Sequence, residues 1–122
     1  MNTVLTQKVA LVVDDEHMVC NMLVRVLGRH FDEVLAASSP AEAERLLSEH
    51  KVTHMICDCN LGPCRPLGVD LIPRWRSLYA SVERVVVFSG SDLSKLAVPP
   101  EIDAVVSKGG QIKEVLEALQ VR

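Results

Sequence analysis

Short apolar runs alternate along this chain with segments in which apolar residues recur at helical spacing. The first run ends at Asp14 and has no helical period, which is typical of a strand buried on both faces of a parallel sheet. Four later runs have similar length and composition. The predicted strands are residues 8–13, 33–37, 53–57, 84–88 and 104–107.

The segments that follow the first two strands have the pattern of helices with one buried stripe. Ser39, Pro40 and Glu42 have the spacing of a capping box with a proline at the first helical position, so the second helix should begin at Pro40 and fade near Lys51. The first helix should span residues 17–30. Its predicted stripe is Val19, Met22, Leu23, Val26 and Leu27.

Prolines complicate the later helices. A third helix is expected over residues 69–78, but Pro73 removes an amide donor, so this helix should begin late or bend. Residues 93–100 could form one or two turns before Pro99 and Pro100, which predicts a short or broken fourth helix. The last helix has a clean stripe formed by Ile112, Val115, Leu116 and Leu119.

Five strand-helix units in alternation predict an α/β fold, with a doubly wound parallel sheet of five strands and helices on both faces. With 122 residues, of which 48% are hydrophobic, we expect one domain spanning residues 1–122. In such a sheet, ligands bind beyond the carboxyl ends of the strands, where the strand order reverses. The residues at those ends therefore carry the functional prediction.

Charge and composition argue against several classes of partner. The 13 basic and 16 acidic residues give a net charge of −3 and are scattered, so we expect binding to neither nucleic acid nor an anionic membrane. The apolar runs are too short to span a membrane, and residues 1–7 are too short and polar for a signal peptide. We therefore expect a cytoplasmic protein whose four cysteines are reduced thiols.

The predicted strands deliver polar residues to one edge of the sheet. Asp14 and Asp15 end the first strand, Asp58 the third, Ser89 the fourth and Lys108 the fifth. If the first and third strands are neighbours, three carboxylates converge, and a hard divalent ion such as Mg²⁺ would neutralise them. A lysine and a hydroxyl nearby would form a cradle for a phosphoryl group. Whether one carboxylate is a nucleophile or only a ligand stays open at this point.

In this order, these residues resemble the receiver domain of two-component response regulators, and the resemblance covers nearly the whole chain. The residues that carry it are Leu11-Val12-Val13-Asp14-Asp15-Glu16, Asp58 after its apolar strand, Val87-Phe88-Ser89-Gly90, and Lys108 after Val105-Val106-Ser107. The resemblance implies a flavodoxin-like fold with strand order 2-1-3-4-5. It also implies that Asp58 accepts a phosphoryl group from the phosphohistidine of a histidine kinase or phosphotransfer protein.

The resemblance also implies a role for each site residue. Asp15 and Asp58 would bind Mg²⁺ directly and Asp14 through water, while Asn60 would contribute its backbone carbonyl. Ser89 and Lys108 would bind oxygens of the phosphoryl group, and Gly90 would leave access to it. The family catalyses its own dephosphorylation, at a rate tuned from the positions of Asn60 and Ser91, so the chain would be an enzyme only in that limited sense.

Four features depart from the family pattern. The loop between Asp58 and Gly68 is long and lacks the common proline, which affects the metal site. Val105 stands where the family often has an aromatic switch residue, so signalling by a flipping ring is not expected. Gly109 replaces the usual proline after Lys108. The degraded fourth helix, usually part of the output surface, suggests that partner recognition has moved or been lost.

Two other functions remain open. The chain could be a receiver-like module that binds an unknown downstream protein without phosphorylation, and a homodimer is compatible with either function. Cys57, Cys59 and Cys64, with His17, suggest a thiol or zinc sensor. Strand alternation places Cys57 and Cys59 on the face opposite Asp58, however, and no close fourth ligand is evident. Small core residues are the favoured interpretation of the cysteines.

Overall fold

The computed structural model describes residues 7–58, 68–90 and 100–120. Within these ranges the chain forms five strands and four helices. They are β1 (Val9–Val13), α1 (His17–Leu27), β2 (Glu33–Ala37), α2 (Pro40–Glu49), β3 (His54–Cys57), α3 (Gly68–Leu78), β4 (Arg84–Ser89), β5 (Ala104–Ser107) and α4 (Ile112–Leu119).

The five strands form one parallel sheet in the order β2-β1-β3-β4-β5. The order reverses at β1, whose last residue, Val13, is in register with Ala37 of β2 and Cys57 of β3. Asp14 and Asp58 directly follow β1 and β3, so they lie side by side at the carboxyl edge of the sheet. The predicted doubly wound α/β fold and its strand order are confirmed.

Helices cover both faces of the sheet, because successive residues of each buried strand point to opposite sides. In β1, Leu11 and Val13 belong to one core cluster, while Ala10 and Val12 belong to the other. The first cluster is closed by α2 and α3, and the second by α1 and α4. The helical residues in these clusters are Ala43, Leu46, Leu47, Ile72 and Trp75 on one face, and Cys20, Leu23, Leu27, Val115 and Leu119 on the other.

The first helix differs from its prediction in length and in its buried stripe. It ends at Leu27 rather than at residue 30, and the amide of His30 donates instead to the carbonyl of Leu27 in a turn that leads to β2. Met22 was predicted to be buried but is 40% exposed, whereas Cys20 is buried. Cys20, Leu23 and Leu27 follow the helical spacing of three and four, and Met22 lies about 100° around the helix from Leu23.

The third helix contains Pro73 in its interior rather than beginning late, since it runs from Gly68 to Leu78. Trp75 anchors this helix: its side chain is 0% exposed, and its indole Nε1 donates a 2.9 Å hydrogen bond to Oε2 of Glu44 on α2. The indole thereby joins the two helices that cover this face of the sheet.

Two predicted segments lie outside the described residues. They are the loop that follows Asp58, residues 59–67, and almost all of the predicted fourth helix, of which residues 93–99 are not described. Among the helices that the structure does describe, none has the length and apolar character that crossing a membrane requires.

We expect Trp75→Phe to lower the free energy of unfolding by about 1–3 kcal/mol, because it removes the indole donor and leaves the Glu44 carboxylate without this partner. Urea unfolding followed by far-UV circular dichroism measures the change. The control is Leu78→Ala on the same helix, which truncates an exposed side chain and should change stability by no more than about 0.5 kcal/mol. Equal stability of Trp75→Phe and wild type would contradict this role for the indole.

His54, the first residue of β3, connects stability to pH. Its ring packs edge-on against Phe31, with ring centroids 5.0 Å apart, and its Nδ1 lies 2.8 Å from Oγ1 of Thr53. Burial lowers the pKa of His54 below the ordinary histidine value. The unfolded chain therefore binds more protons than the folded chain in this range. Stability should fall as the pH drops through the unfolded pKa of about 6.5 towards the lower folded pKa.

We expect His54→Gln to flatten this part of the stability curve, because glutamine does not titrate. Urea unfolding of wild type and variant at a series of pH values from 8 downwards tests the prediction, with the difference between the two curves as the readout. A wild-type curve that runs parallel to the variant curve across the whole range would show that His54 does not contribute.

Candidate functional site

The two central strands place Asp14 and Asp58 at the carboxyl edge of the sheet. The amide of Asp14 donates to the carbonyl of Ala37 at 3.0 Å, and the amide of Asp58 donates to the carbonyl of Val13 at 2.8 Å. These two hydrogen bonds extend the backbone pairing of β1 with β2 and of β3 with β1 by one residue, which fixes the backbone of each aspartate. Both side chains are buried, so their charges need compensation within the protein.

The Asp14 carboxylate is held on both of its oxygens. Oδ1 accepts a 2.9 Å hydrogen bond from the amide of Glu16, and Oδ2 lies 2.9 Å from Nζ of Lys108. The Asp14 carbonyl accepts a hydrogen bond from the thiol of Cys20 at 3.1 Å. Asp14 is therefore fixed in place by its own loop, by α1 and by the lysine.

Lys108 reaches this edge from the end of β5. Its amide donates to the carbonyl of Ser89 at 2.8 Å, which ties the ends of β4 and β5 together. Its Nζ lies 2.9 Å from Oδ2 of Asp14, 3.0 Å from Oε1 of Glu16 and 3.6 Å from Oδ2 of Asp58. One ammonium thus forms ion pairs with three carboxylates.

The pKa of Lys108 reflects two opposing effects. Burial acts to lower this pKa, but the hydrogen bonds to Asp14 and Glu16, together with the charges of Asp14 and Asp58, raise it well above the ordinary lysine value. The ammonium therefore keeps its proton at neutral pH. It is a permanent positive charge beside the two buried aspartates.

Ser89 and Gly90 end β4 beside the lysine. Ser89 is buried, whereas Gly90 is exposed. A Cβ placed on Gly90 would lie 3.8 Å from Cδ of Lys108, which is ordinary van der Waals contact. The space next to Gly90 therefore borders the stem of the lysine.

The other predicted site residues are not brought into this group. Asp15 is exposed, and its carboxylate is not among the three that cluster around Lys108. Its role as a metal ligand stays a prediction. Asn60 and Ser91 lie outside the described residues, as do Cys59 and Cys64.

Glu16 joins the site although it was not predicted as a site residue. One oxygen each from Asp14, Glu16 and Asp58 lies within 4.8 Å of the others. The available signal was the run Asp14-Asp15-Glu16 after the first strand, but a residue that starts a helix normally points into solvent. Its partner, Lys108, lies 92 positions later in the chain, so the contact is not evident from the sequence around Glu16.

The donor set fits a hard divalent cation. Carboxylate oxygens that converge from three residues are the ligands that Mg²⁺ and Ca²⁺ prefer. In the described part of the chain, this carboxylate group is the one cluster of acidic, histidine or cysteine side chains with metal-binding spacing.

The described cysteines are placed as core residues. Cys57 belongs to the core cluster under α2 and α3, and its thiol donates to the carbonyl of Asp58 at 3.3 Å. Burial, reinforced by the charge of Asp14, raises the pKa of the Cys20 thiol, which keeps this thiol protonated and unreactive. Neither feature is typical of a thiolate metal site.

A known family model matches most of the chain. The family model described as response regulator receiver domain matches residues 10–120. A search of curated proteins finds no match to the chain.

Solved structures show the same fold. The chain is similar to a response regulator from Burkholderia pseudomallei with a phosphorylated aspartic acid, a calcium ion and citrate, at 27% identity and a TM-score of 0.78. The match covers 93% of this chain and 66% of that one, just under two thirds.

Two further structures are similar in fold alone. The signal receiver domain of an HD domain-containing protein from Pseudomonas fluorescens shares 24% identity, with a TM-score of 0.81 and coverage of 94% of this chain and 93% of that one. A response regulator from Thermotoga maritima in complex with Mg²⁺-BeF shares 19% identity, with a TM-score of 0.79 and coverage of 93% and 96%.

We expect Lys108→Met to lower the free energy of unfolding by about 1–3 kcal/mol, because it leaves the buried Asp14 and Asp58 charges without their cation. Added Mg²⁺ should restore more stability to this variant than to wild type, because the carboxylates then lack their internal counter-charge. Urea unfolding in excess EDTA and in excess MgCl₂ measures both effects. If Mg²⁺ raised the free energy of unfolding of both proteins by the same amount, the lysine and the metal would not be neutralising the same carboxylates.

Proposed function

Because this chain belongs to the response regulator receiver domain family, we propose that it is a phosphorylation-dependent switch of a two-component system. An oxygen of the Asp58 carboxylate attacks the phosphorus of a phosphohistidine on a histidine kinase or phosphotransfer protein. The bond between phosphorus and the imidazole nitrogen breaks, the histidine leaves, and an aspartyl phosphate forms. Water later attacks the phosphorus, which releases inorganic phosphate and restores the carboxylate.

The observation that carries this proposal is the position of the Lys108 ammonium, which reaches from the end of β5 to the aspartates that follow β1 and β3. Its Nζ contacts Asp14 at 2.9 Å and lies 3.6 Å from Asp58, so a fixed positive charge stands beside the proposed nucleophile. A phosphoryl group on Asp58 adds negative charge at this point, and the positive charge of the nearby ammonium would stabilise it. We assign the role of nucleophile to Asp58 because the resemblance to the receiver family gives this role to the aspartate that directly follows the third strand.

Ser89 and Gly90 support the same chemistry. Ser89 ends β4 at the same edge of the sheet, and its hydroxyl would donate to a phosphoryl oxygen. Gly90 carries no side chain that would narrow the approach to Asp58. The hydrogen bond from the amide of Lys108 to the carbonyl of Ser89 holds the backbones of these two proposed phosphate-binding residues side by side.

Magnesium would be held by Asp14, Asp15 and Asp58, with the backbone carbonyl of Asn60 as a further ligand. When bound, it would neutralise negative charge on the phosphoryl oxygens. The convergence of Asp14 and Asp58 supports this assignment, and the similar protein from Burkholderia pseudomallei contains calcium with its phosphorylated aspartate.

The signal would be a shift in population between two states that differ in charge at Asp58. A downstream protein that binds the phosphorylated state more tightly would read it, in the cytoplasm and without nucleic acid or membrane contact by this domain. Val105 is 43% exposed on β5, where the family often has an aromatic switch. The readout should therefore depend on the charge and hydrogen bonds at Ser89 and Lys108 rather than on a ring that changes position.

We expect acetyl phosphate to add one phosphoryl group per chain in the presence of Mg²⁺, because the site holds both a nucleophile and its counter-charge. Asp58→Asn should abolish the labelling, since an amide oxygen is a poor nucleophile. Intact-mass spectrometry measures the added group.

The matched control is Asp32→Asn, which removes the same charge from an exposed carboxylate near the opposite edge of the sheet. It should label like wild type. Equal labelling of Asp58→Asn, or labelling of wild type that persists in EDTA, would contradict the proposed function. Binding of a partner by Asp58→Ala without Mg²⁺, at wild-type affinity, would favour the phosphorylation-independent module.

A further inference from the structure

Glu16 occupies the N-cap position of α1 without capping it. Its side chain accepts no hydrogen bond from the first turn of the helix, and glutamate is not among the residues that favour this position. Instead, its Oε1 lies 3.0 Å from Nζ of Lys108, while the side chain as a whole is 61% exposed. The contact with the lysine, rather than helix capping, is what this carboxylate provides.

The ammonium of Lys108 lies closer to Asp14 and Glu16 than to Asp58. It has three donors, and its contacts with Asp14 and Glu16 have hydrogen-bond lengths of 2.9 and 3.0 Å. The 3.6 Å separation from Asp58 is an ion-pair distance, too long for a hydrogen bond. The lysine is therefore hydrogen-bonded to Asp14 and Glu16, and it is paired with the proposed phosphoacceptor only at the longer ion-pair distance.

From this geometry, and resting on the proposed function, we propose that Glu16 is a positioning residue that holds the Lys108 ammonium away from Asp58 and competes with the phosphoryl group for it. When Asp58 becomes phosphorylated, Lys108 must move its hydrogen bonds towards the new oxygens. Asp14 is buried and fixed on both oxygens, so Glu16 is the partner that can yield. The strength of the Glu16 contact then sets how readily the lysine is released.

Glu16 should have two separable effects, because its carboxylate both bonds to the lysine and adds negative charge to the site. Bonding to the lysine weakens binding of a phosphoryl group. The added negative charge strengthens binding of a divalent cation. A purely structural role at the start of α1 would not move these two affinities in opposite directions.

Beryllofluoride, used as a mimic of the phosphoryl group, tests the first effect, and Mg²⁺ alone tests the second. We expect Glu16→Gln to bind beryllofluoride, at saturating Mg²⁺, roughly two- to fivefold more tightly than wild type, the range for an exposed ion pair. The same variant should bind Mg²⁺ alone more weakly by a similar factor. Fluorine NMR measures the first affinity and isothermal titration calorimetry the second.

Glu16→Asp separates the two effects, because it keeps the charge but is one methylene too short to hold the lysine in the same way. It should bind beryllofluoride more tightly, as Glu16→Gln does, while its Mg²⁺ affinity stays at the wild-type value. The control for net charge is Glu117→Gln at an exposed position of α4, which should leave both affinities unchanged.

The outcomes distinguish this proposal from the proposed function. If wild type fails to bind beryllofluoride in the presence of Mg²⁺, the proposed function is wrong and the role of Glu16 falls with it. If wild type binds it but Glu16→Gln and Glu16→Asp have wild-type affinities, only the role of Glu16 is wrong. Tighter binding by Glu16→Gln alone would show that Glu16 acts through its charge and not by holding the lysine.

Discussion

Two buried carboxylates at the ends of neighbouring strands can coexist only because a lysine ammonium lies between them. Asp14 and Asp58 would otherwise repel each other in a poorly solvated site. Lys108, which follows β5, brings a positive charge close to both aspartates, and Glu16 forms an ion pair with the same ammonium. This arrangement keeps the proposed nucleophile, Asp58, beside a positive charge, which phosphoryl transfer to a carboxylate would use.

The sheet makes this arrangement possible. Because β1 and β3 are neighbours, their ladders place Asp14 and Asp58 side by side. β4 and β5 continue the sheet in sequence order, so Ser89 and Lys108 reach the same edge. The two core clusters, one on each face, hold the strands in register. The energetic cost of collecting charges at one edge is thus offset by the apolar core that the strands and helices bury.

The hydrophobic pattern was sufficient for the fold class, because each buried strand is a continuous apolar run and each helix has an apolar stripe, whereas the strand order came from the family resemblance. It could not place Met22 correctly, since an apolar residue beside the buried stripe has the same hydropathy as one within it. Asp14, Asp58 and Lys108 could be located because each directly follows a strand. Glu16 could not, because its role depends on a contact with Lys108 across the sheet rather than on its own position in the chain. Asp15 shows the same limit, since sequence position alone does not determine where an exposed carboxylate points.

The central claim is that Asp58 is the residue that accepts the phosphoryl group, and its most direct test is to locate the modification. After incubation with acetyl phosphate and Mg²⁺, borohydride reduces an aspartyl phosphate to homoserine, which peptide mass spectrometry can assign to one position. The account predicts homoserine at position 58 alone. Homoserine at position 14 or 15, or its absence from a protein that carries phosphate, would contradict the account.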